Sequence, residues 1–241
     1  MASAEKKIFG NIDLFTLPAE SRKKFFPLEQ FKGSCIVVAN YPARYVYESY
    51  YKERRLGEEL KLIFQGRIGD GHGFETIIPI LNEKIEGKQL KLVLKGHCDE
   101  SYKQSLLSIA AKYGSREHIS FEGFGPYSEV PLIASQCHIG IGIFTAKEIM
   151  HLTLGTSSNK LYEYAAVGLP VLYTNAEHFS VYLAKYDWAI PVDDDAASIR
   201  RAIAQIVVNY EKLSAAAHHC FVNELNFEEQ FKPVIQWIKK Q

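Results

Sequence analysis

From Leu60 onward the apolar residues fall into short runs separated by longer stretches with helical spacing. The runs at 62–65, 90–94 (LKLVL), 119–122, 138–144 (HIGIGIF), 171–174 and 189–192 are too short for buried helices and are predicted as strands. Between the first two, residues 74–84 place Phe74, Ile77, Ile78 and Leu81 on one helical face. Further helices are predicted over 102–113, 128–135, 179–186 and 196–210, with a last one over 227–240 that carries Phe231, Ile235, Trp237 and Ile238. Strands joined through helices of about ten residues or more need crossover connections, and right-handed crossovers give a parallel sheet. The pattern therefore predicts an α/β, doubly wound, Rossmann-like domain with about six parallel strands and helices on both faces. Ligands of such sheets sit outside the carboxyl ends of the strands, so the loops that follow the strands are where function is sought.

Residues 1–59 do not join the alternation. The first 34 mix charge and aromatic residues without a clear period, apart from AESRKKFF, which can form a short helix near Pro18. CIVVA at 35–39 reads as a strand stopped by Asn40, Tyr41 and Pro42. Residues 43–59, with four tyrosines and alternating charge, read as a linker or surface helix and mark a boundary before a domain over 60–241.

Composition narrows the class. With 241 residues and 47% hydrophobic content the chain can bury a sizeable core. Lys+Arg and Asp+Glu are both 28, so neither nucleic acid nor an acidic membrane surface is expected as the main partner. No apolar run approaches the roughly 18 residues that cross a bilayer, and MASAEKKIFG lacks the apolar centre of a signal peptide. A cytoplasmic location is the expectation. Cys35, Cys98, Cys137 and Cys220 lie singly with no CxxC spacing, which argues against a zinc site and a disulfide framework.

Three of the post-strand loops carry chemistry. GRIGDGHGF at 66–74 has four glycines, which let backbone approach a ligand, and Arg67, whose planar cation suits phosphate oxygens. It does not match the GxGxxG dinucleotide spacing, and a flexible turn with a solvated arginine is the plain alternative. EGFGPYSE at 122–129 could edge a planar base through Phe124, or be a simple strand-to-helix turn. The stretch LGTSSNKLYEYAAVGLPVLYT at 154–174 reads as a Gly/Ser/Thr-rich loop, a short helix stopped at Gly168, and a strand led by Pro170. Its first helical amides and hydroxyls suit an anionic or hydroxylated ligand. Lys160 and Glu163, three residues apart, share a helical face; they are either a surface ion pair or a diphosphate cation beside a carboxylate for a ribose diol.

The order GR-loop-HG, LKLVLKG, ISFEGF, an apolar strand and SSNKLYEYAAVGLPVLYT resembles the carboxyl-terminal, donor-binding domain of GT-B fold glycosyltransferases, in particular the large retaining family 4. The resemblance covers about residues 60–240, and IVVANYPARY is similar to the strand before that family's interdomain linker. It implies a hexosyltransferase-type activity, of the kind used in polysaccharide biosynthesis. A sugar would move from a nucleotide-diphosphate-sugar to an acceptor glycan or lipid-linked sugar held by a separate amino-terminal domain. Arg67, after Gly66, matches the arginine that contacts the diphosphate. The lysine of the family's KG pair falls on His72, before Gly73, and a histidine's charge varies near neutral pH. Glu163 matches the second of two glutamates, the one that holds the ribose. The first, eight positions earlier, falls on Gly155. Sugar contacts would then come from the backbone and hydroxyls of Gly155, Thr156, Ser157 and Ser158, with Asn159 and Leu161 alongside and Lys160 as a second cation.

Fixed cations and helix amides can stabilise the departing nucleoside diphosphate without a metal, so Arg67 and Lys160, with His72, are assigned to the leaving group and neither metal nor cofactor is expected. The other histidines show no ligand spacing, although His151 lies just before the donor loop. Some 60 residues before Leu60 are too few for the second α/β domain of this fold. Residues 1–59 are thus expected to be a remnant of the acceptor domain and its linker, with the rest missing from this chain, transfer activity absent without it, membrane association only through it, and the apolar face of the last helix partly exposed. The alternative is a non-catalytic nucleotide-binding or interaction module of the same fold; a sugar-nucleotide epimerase would need acid–base residues that are not found.

Overall fold

The computed structural model describes residues 7–145 and 154–241. In chain order the elements are β1 (Leu14–Leu17), β2 (Ser34–Val37), α1 (Arg44–Tyr47), β3 (Glu59–Gln65), α2 (Phe74–Ile77), β4 (Lys84–Ile85), β5 (Lys88–Lys95), α3 (Glu100–Lys112), β6 (Ile119–Gly123), α4 (Glu129–Ala134) and β7 (Ile139–Gly142). They continue as α5 (Leu154–Ser157), α6 (Asn159–Ala166), β8 (Val171–Thr174), α7 (Glu177–Leu183), β9 (Ala189–Val192), α8 (Ala196–Val208), α9 (Tyr210–Asn223) and α10 (Phe227–Ile238).

The main sheet runs β4-β5-β3-β7-β8-β9, with β6 also paired to β5. The six expected strands are present and parallel, with Leu60 opposite Leu90 and Phe64 opposite Leu94 in the longest pair. A seventh, β4, is the antiparallel arm of a hairpin turned by Glu86 and Gly87, both at positive φ. Chain order proceeds outward from β3 through β5 to β6, then returns to β3's other side at β7. The switch point of this doubly wound sheet therefore lies between the carboxyl ends of β3 and β7.

Glycine makes that point compact. A Cβ on Gly140 would lie 2.2 Å from the Tyr164 ring, and one on Gly142 would lie 2.2 Å from Leu161. With neither present, α6 rests directly on β7, and its Tyr164 hydroxyl accepts from the Gln65 amide at 3.0 Å. Gly168, at φ 73°, ends this short helical segment as expected. Asp195 caps α8 by accepting from the Ser198 amide.

Several elements differ from expectation. The helix predicted over 74–84 stops at Ile77 and tightens into a 3₁₀ turn (Ile78–Ile80), because Pro79 lacks the amide that would continue it. Helix α9 lies beyond the predicted helices: its buried face is Tyr210, Leu213, Ser214, Ala217 and Phe221, two of the five small, so the sequence signal is faint. Residues 14–17 and 34–37 form a separate two-stranded parallel sheet. Beside it, Phe9, Phe15, Phe26 and Phe31 cluster with ring centroids 4.9–6.2 Å apart.

The segment read as a linker is packed onto the main sheet. Tyr47 is fully buried, and the Arg54 guanidinium donates to the carbonyls of Cys137 and Val167, just before β7 and β8. The last helix behaves as expected: Phe227, Ile235 and Ile238 remain exposed. Trp237 is half-buried and donates to Ser34 Oγ at 2.8 Å. All four cysteines are free. Among the described residues no helix is long and apolar enough to cross a membrane.

Candidate functional site

β3 alternates Glu59 and Lys61 with buried Leu60 and Leu62, turns apolar through Ile63 and Phe64 and ends in Gln65, after which Gly66 and Gly96 let the β3 and β5 loops run side by side. A Cβ on Gly96 would fall 1.8 Å from the Gly66 carbonyl oxygen, and both residues hold positive φ. The pairing extends to a bridge between Ile68 and Cys98. Arg67 is held between these anchored positions with its side chain in solvent.

Lys160, in the first turn of α6, reaches to the same place. Its ammonium lies 4.0 Å from the Phe64 ring centroid and 4.9 Å from that of Phe144, and a Cβ on Gly66 would be 3.3 Å from it. Burial lowers its pKa to about 8, against the opposing attraction of Glu163. His72 enters from the other side. Its Nδ1 lies 3.2 Å from the Ile143 carbonyl, and its ring centroid is 4.5 Å from Phe64 and 5.3 Å from Phe144. The two basic side chains thus share one pair of aromatic rings.

Glu163 is not in a surface ion pair. It is 5% exposed and its carboxylate accepts from Gln65 Nε2 on one oxygen and from the Tyr127 hydroxyl, at 2.6 Å, on the other. Tyr127 in turn lies 2.9 Å from the hydroxyl of Tyr47, on α1. Burial raises the Glu163 pKa, partly offset by its bonds to Tyr127, Tyr47 and Gln65 and by Lys160. Burial also raises the Tyr127 and Tyr47 phenols, with the Glu163 charge adding to it, so both remain donors.

Between the β3, β5 and β6 loops opens a cleft of about 500 Å³ lined by Gln65, Gly66, Arg67, Gly96, Phe124 and Tyr127. Phe124 is 84% exposed at its edge, free to meet a planar ligand. Beneath Gly125, buried Lys95 pairs with Glu129 at 2.6 Å. A hollow of the same volume beside Asp187, Gln205 and Lys212 borders the amino-terminal end of β9, away from the loops that follow the strands.

Lys160 and His72 therefore meet at the ends of β3 and β7, Arg67 and Phe124 line the neighbouring cleft, and Glu163 is bonded to Gln65 and Tyr127 of its wall, with Gly66 and buried Gly73 shaping the loop. The 154–158 stretch is engaged elsewhere. Residues 154–157 are helical rather than a loop, Thr156 Oγ1 donates to the Pro18 carbonyl at 2.8 Å, and Ser157 Oγ accepts from Arg22 at 3.0 Å. Asn40 binds the carbonyls of Thr156 and Ser157. Gly155 is buried: a Cβ there would lie 2.3 Å from the Tyr182 ring and 2.6 Å from the His178 carbonyl oxygen. Ser158 is buried, Asn159 exposed, and Leu161 fully buried against Gly142. His151 lies outside the described residues. The sequence alone does not single out Gln65, Tyr127 or Tyr47 as site residues; the one local signal is a glutamine directly after the apolar run 62–64.

With this geometry in place, comparison with known proteins is decisive about kinship. Residues 48–219 match the family model described as glycosyl transferases group 1. The chain belongs to that family. No curated protein matches this group 1 chain in sequence. In fold it is similar to HepE of Anabaena, solved in complex with UDP and glucose: TM-score 0.67, 11% identity, covering 100% of this chain and 67% of HepE. Sucrose-phosphate synthase of Thermosynechococcus elongatus matches with TM-score 0.63 and 15% identity, over 99% of this chain and 61% of the synthase. The carboxyl-terminal domain of a group 1 glycosyl transferase of Francisella tularensis matches at TM-score 0.52 and 16% identity, over 78% of this chain and 96% of that domain. The group 1 chain has the GT-B, Rossmann-like fold and spans about two thirds of the length of HepE and of the synthase.

Proposed function

We propose that this group 1 chain is the carboxyl-terminal, donor-binding half of a family 4-like, retaining glycosyltransferase, which takes a sugar from a nucleotide-diphosphate-sugar. The observation that carries the proposal is that Arg67 lines a cleft whose wall residues Gln65 and Tyr127 both bond the buried Glu163, with the Lys160 ammonium beside Gly66 at the same strand end. The complexes of HepE with UDP and with UDP-glucose support a nucleotide sugar as the ligand class.

In this reading Phe124 edges the base and the Glu163 carboxylate accepts from the ribose diol. Arg67, Lys160 and His72 surround the diphosphate. As the glycosidic bond breaks, negative charge grows on the departing diphosphate, and preplaced cations stabilise it with little reorganisation. Those cations do the work assigned to a metal elsewhere, so the proposed transfer is metal- and cofactor-independent. The acceptor, a glycan or lipid-linked sugar, is supplied by a separate amino-terminal domain. Catalysis needs that domain, any membrane contact is made through it, and the reaction is cytoplasmic.

A nucleotide-binding module without transfer has one observation in its favour, the filled space at Gly155, which leaves no carboxylate beside the sugar. Calorimetry with UDP, GDP and their sugars tests both readings. Binding should weaken about tenfold or more in Arg67→Ala and in Glu163→Ala, by loss of a charge-assisted contact. If no nucleotide binds the wild-type chain, the donor-site reading is wrong. Slow hydrolysis of the bound nucleotide sugar, or transfer once the amino-terminal domain is supplied, separates the enzyme from the module.

A further inference from the structure

Gln65 is 4% exposed, forms part of the cleft wall, and is pinned through its backbone amide to the Tyr164 hydroxyl. Its side chain has only one orientation compatible with its neighbour. A carboxylate accepts and does not donate, so the amide must present Nε2 to Glu163, and Oε1 must face the other way. That oxygen is closed to solvent and has no hydrogen-bond partner among the described residues. Buried polar atoms are nearly always paired, and an orphaned acceptor beside a fully paired carboxylate is unfavourable unless something else fills it.

We infer that Gln65 is a specificity-determining residue of the nucleotide site, its Oε1 accepting a hydrogen bond from a ribose hydroxyl of the bound nucleotide while its Nε2 holds Glu163 in place. The inference rests on the donor-site reading above. Phosphate oxygens cannot satisfy an acceptor, whereas a ribose diol placed against Glu163 has a hydroxyl to give. Tyr127, half-exposed at the rim of the same cleft and bonded to the same carboxylate, is the group that must swing aside, since the Gln65 oxygen is closed off in the free protein. On binding, the ribose exchanges with the Tyr127 hydroxyl at Glu163 and completes Gln65. The paired acceptors of Gln65 and Glu163 then select a full ribose over a deoxyribose.

Calorimetry with UDP, 2′-deoxy-UDP and 3′-deoxy-UDP, on wild type and on Gln65→Met, tests this. Wild type should prefer UDP to at least one deoxy form by about tenfold or more. Gln65→Met, similar in size but without polar atoms, should lose about tenfold in UDP affinity, and its preference for UDP over that deoxy form should shrink several-fold. A preference unchanged in Gln65→Met, or absent in the wild type, overturns the inference while leaving the donor site intact; a wild type that binds no nucleotide fails at the donor site itself. Should Gln65→Met not fold, the ¹³C resonance of the Gln65 side-chain carbonyl in the wild-type protein decides. It should move with UDP and much less with the discriminated deoxy form, and no movement with UDP overturns the inference.

Discussion

An ammonium resting on the faces of Phe64 and Phe144 gains cation–π attraction of up to about 2 kcal/mol but gives up much of its water. For Lys160 the loss of water dominates, and its pKa falls to about 8. The sign of two pH effects follows. A diphosphate favours the protonated form, so UDP affinity should fall by roughly tenfold as pH rises from about 7 to about 9. Lys160→Met should bind more weakly at neutral pH and show a flatter profile, which calorimetry at several pH values reads directly. Stability moves the opposite way. Between about 8 and the ordinary lysine value of 10.5 the unfolded chain holds the Lys160 proton that the folded chain has released, so this residue's contribution to stability rises with pH across that window. Glu163 has a separate consequence: Glu163→Ala strands the Gln65 amide and the Tyr127 hydroxyl, and should lower stability by about 2–4 kcal/mol in denaturant titration.

At the scale of elements, β7 and α6 act as a unit because Gly140 and Gly142 bring them into contact. Gly140→Ala forces a methyl to within 2.2 Å of the Tyr164 ring and should destabilise by about 1–3 kcal/mol through overpacking. It should also weaken nucleotide binding, since α6 carries both Lys160 and Glu163. Gly57→Ala, with no atom within 4 Å of the new methyl, serves as the control and should change stability by less than about 0.5 kcal/mol. The same contrast explains what the sequence made legible. Parallel strands buried on both faces announce themselves as apolar runs, so all six were readable, whereas α9 buries Ser214 and Ala217 and gives no such stripe. Arg67, Lys160 and Glu163 were readable because each lies in or directly behind a Gly- or Ser/Thr-rich loop. The rest of the site is bonded across 98 residues from Gln65 to Glu163, 36 from Tyr127 to Glu163 and 80 from Tyr47 to Tyr127. Local periodicity holds no record of such pairs, and Tyr47 read as a linker tyrosine becomes a fully buried residue only when the sheet is assembled.

For the whole molecule, the segment before β3 is bound at both ends of the sheet. Tyr47 reaches Tyr127 at the carboxyl side, while Arg54 closes on the carbonyls of Cys137 and Val167 at the amino side. Arg54→Met removes the donors to both carbonyls and should cost about 2–4 kcal/mol in a denaturant titration. The last helix is tied to the same segment, since both oxygens of Glu228 accept from the Arg44 amide at 2.9–3.0 Å. On the far side of α6, the room that a side chain at Gly155 would need is taken by Tyr182 and by the backbone of α7. This fixes the order in which the chain can evolve. An acidic residue at 155 is not one substitution away, because Tyr182 must first give way and α7 must shift with it. A library varying 155 and 182 together, selected for folded protein, should return Asp or Glu at 155 only beside small residues at 182, so the history of one position is written in the other.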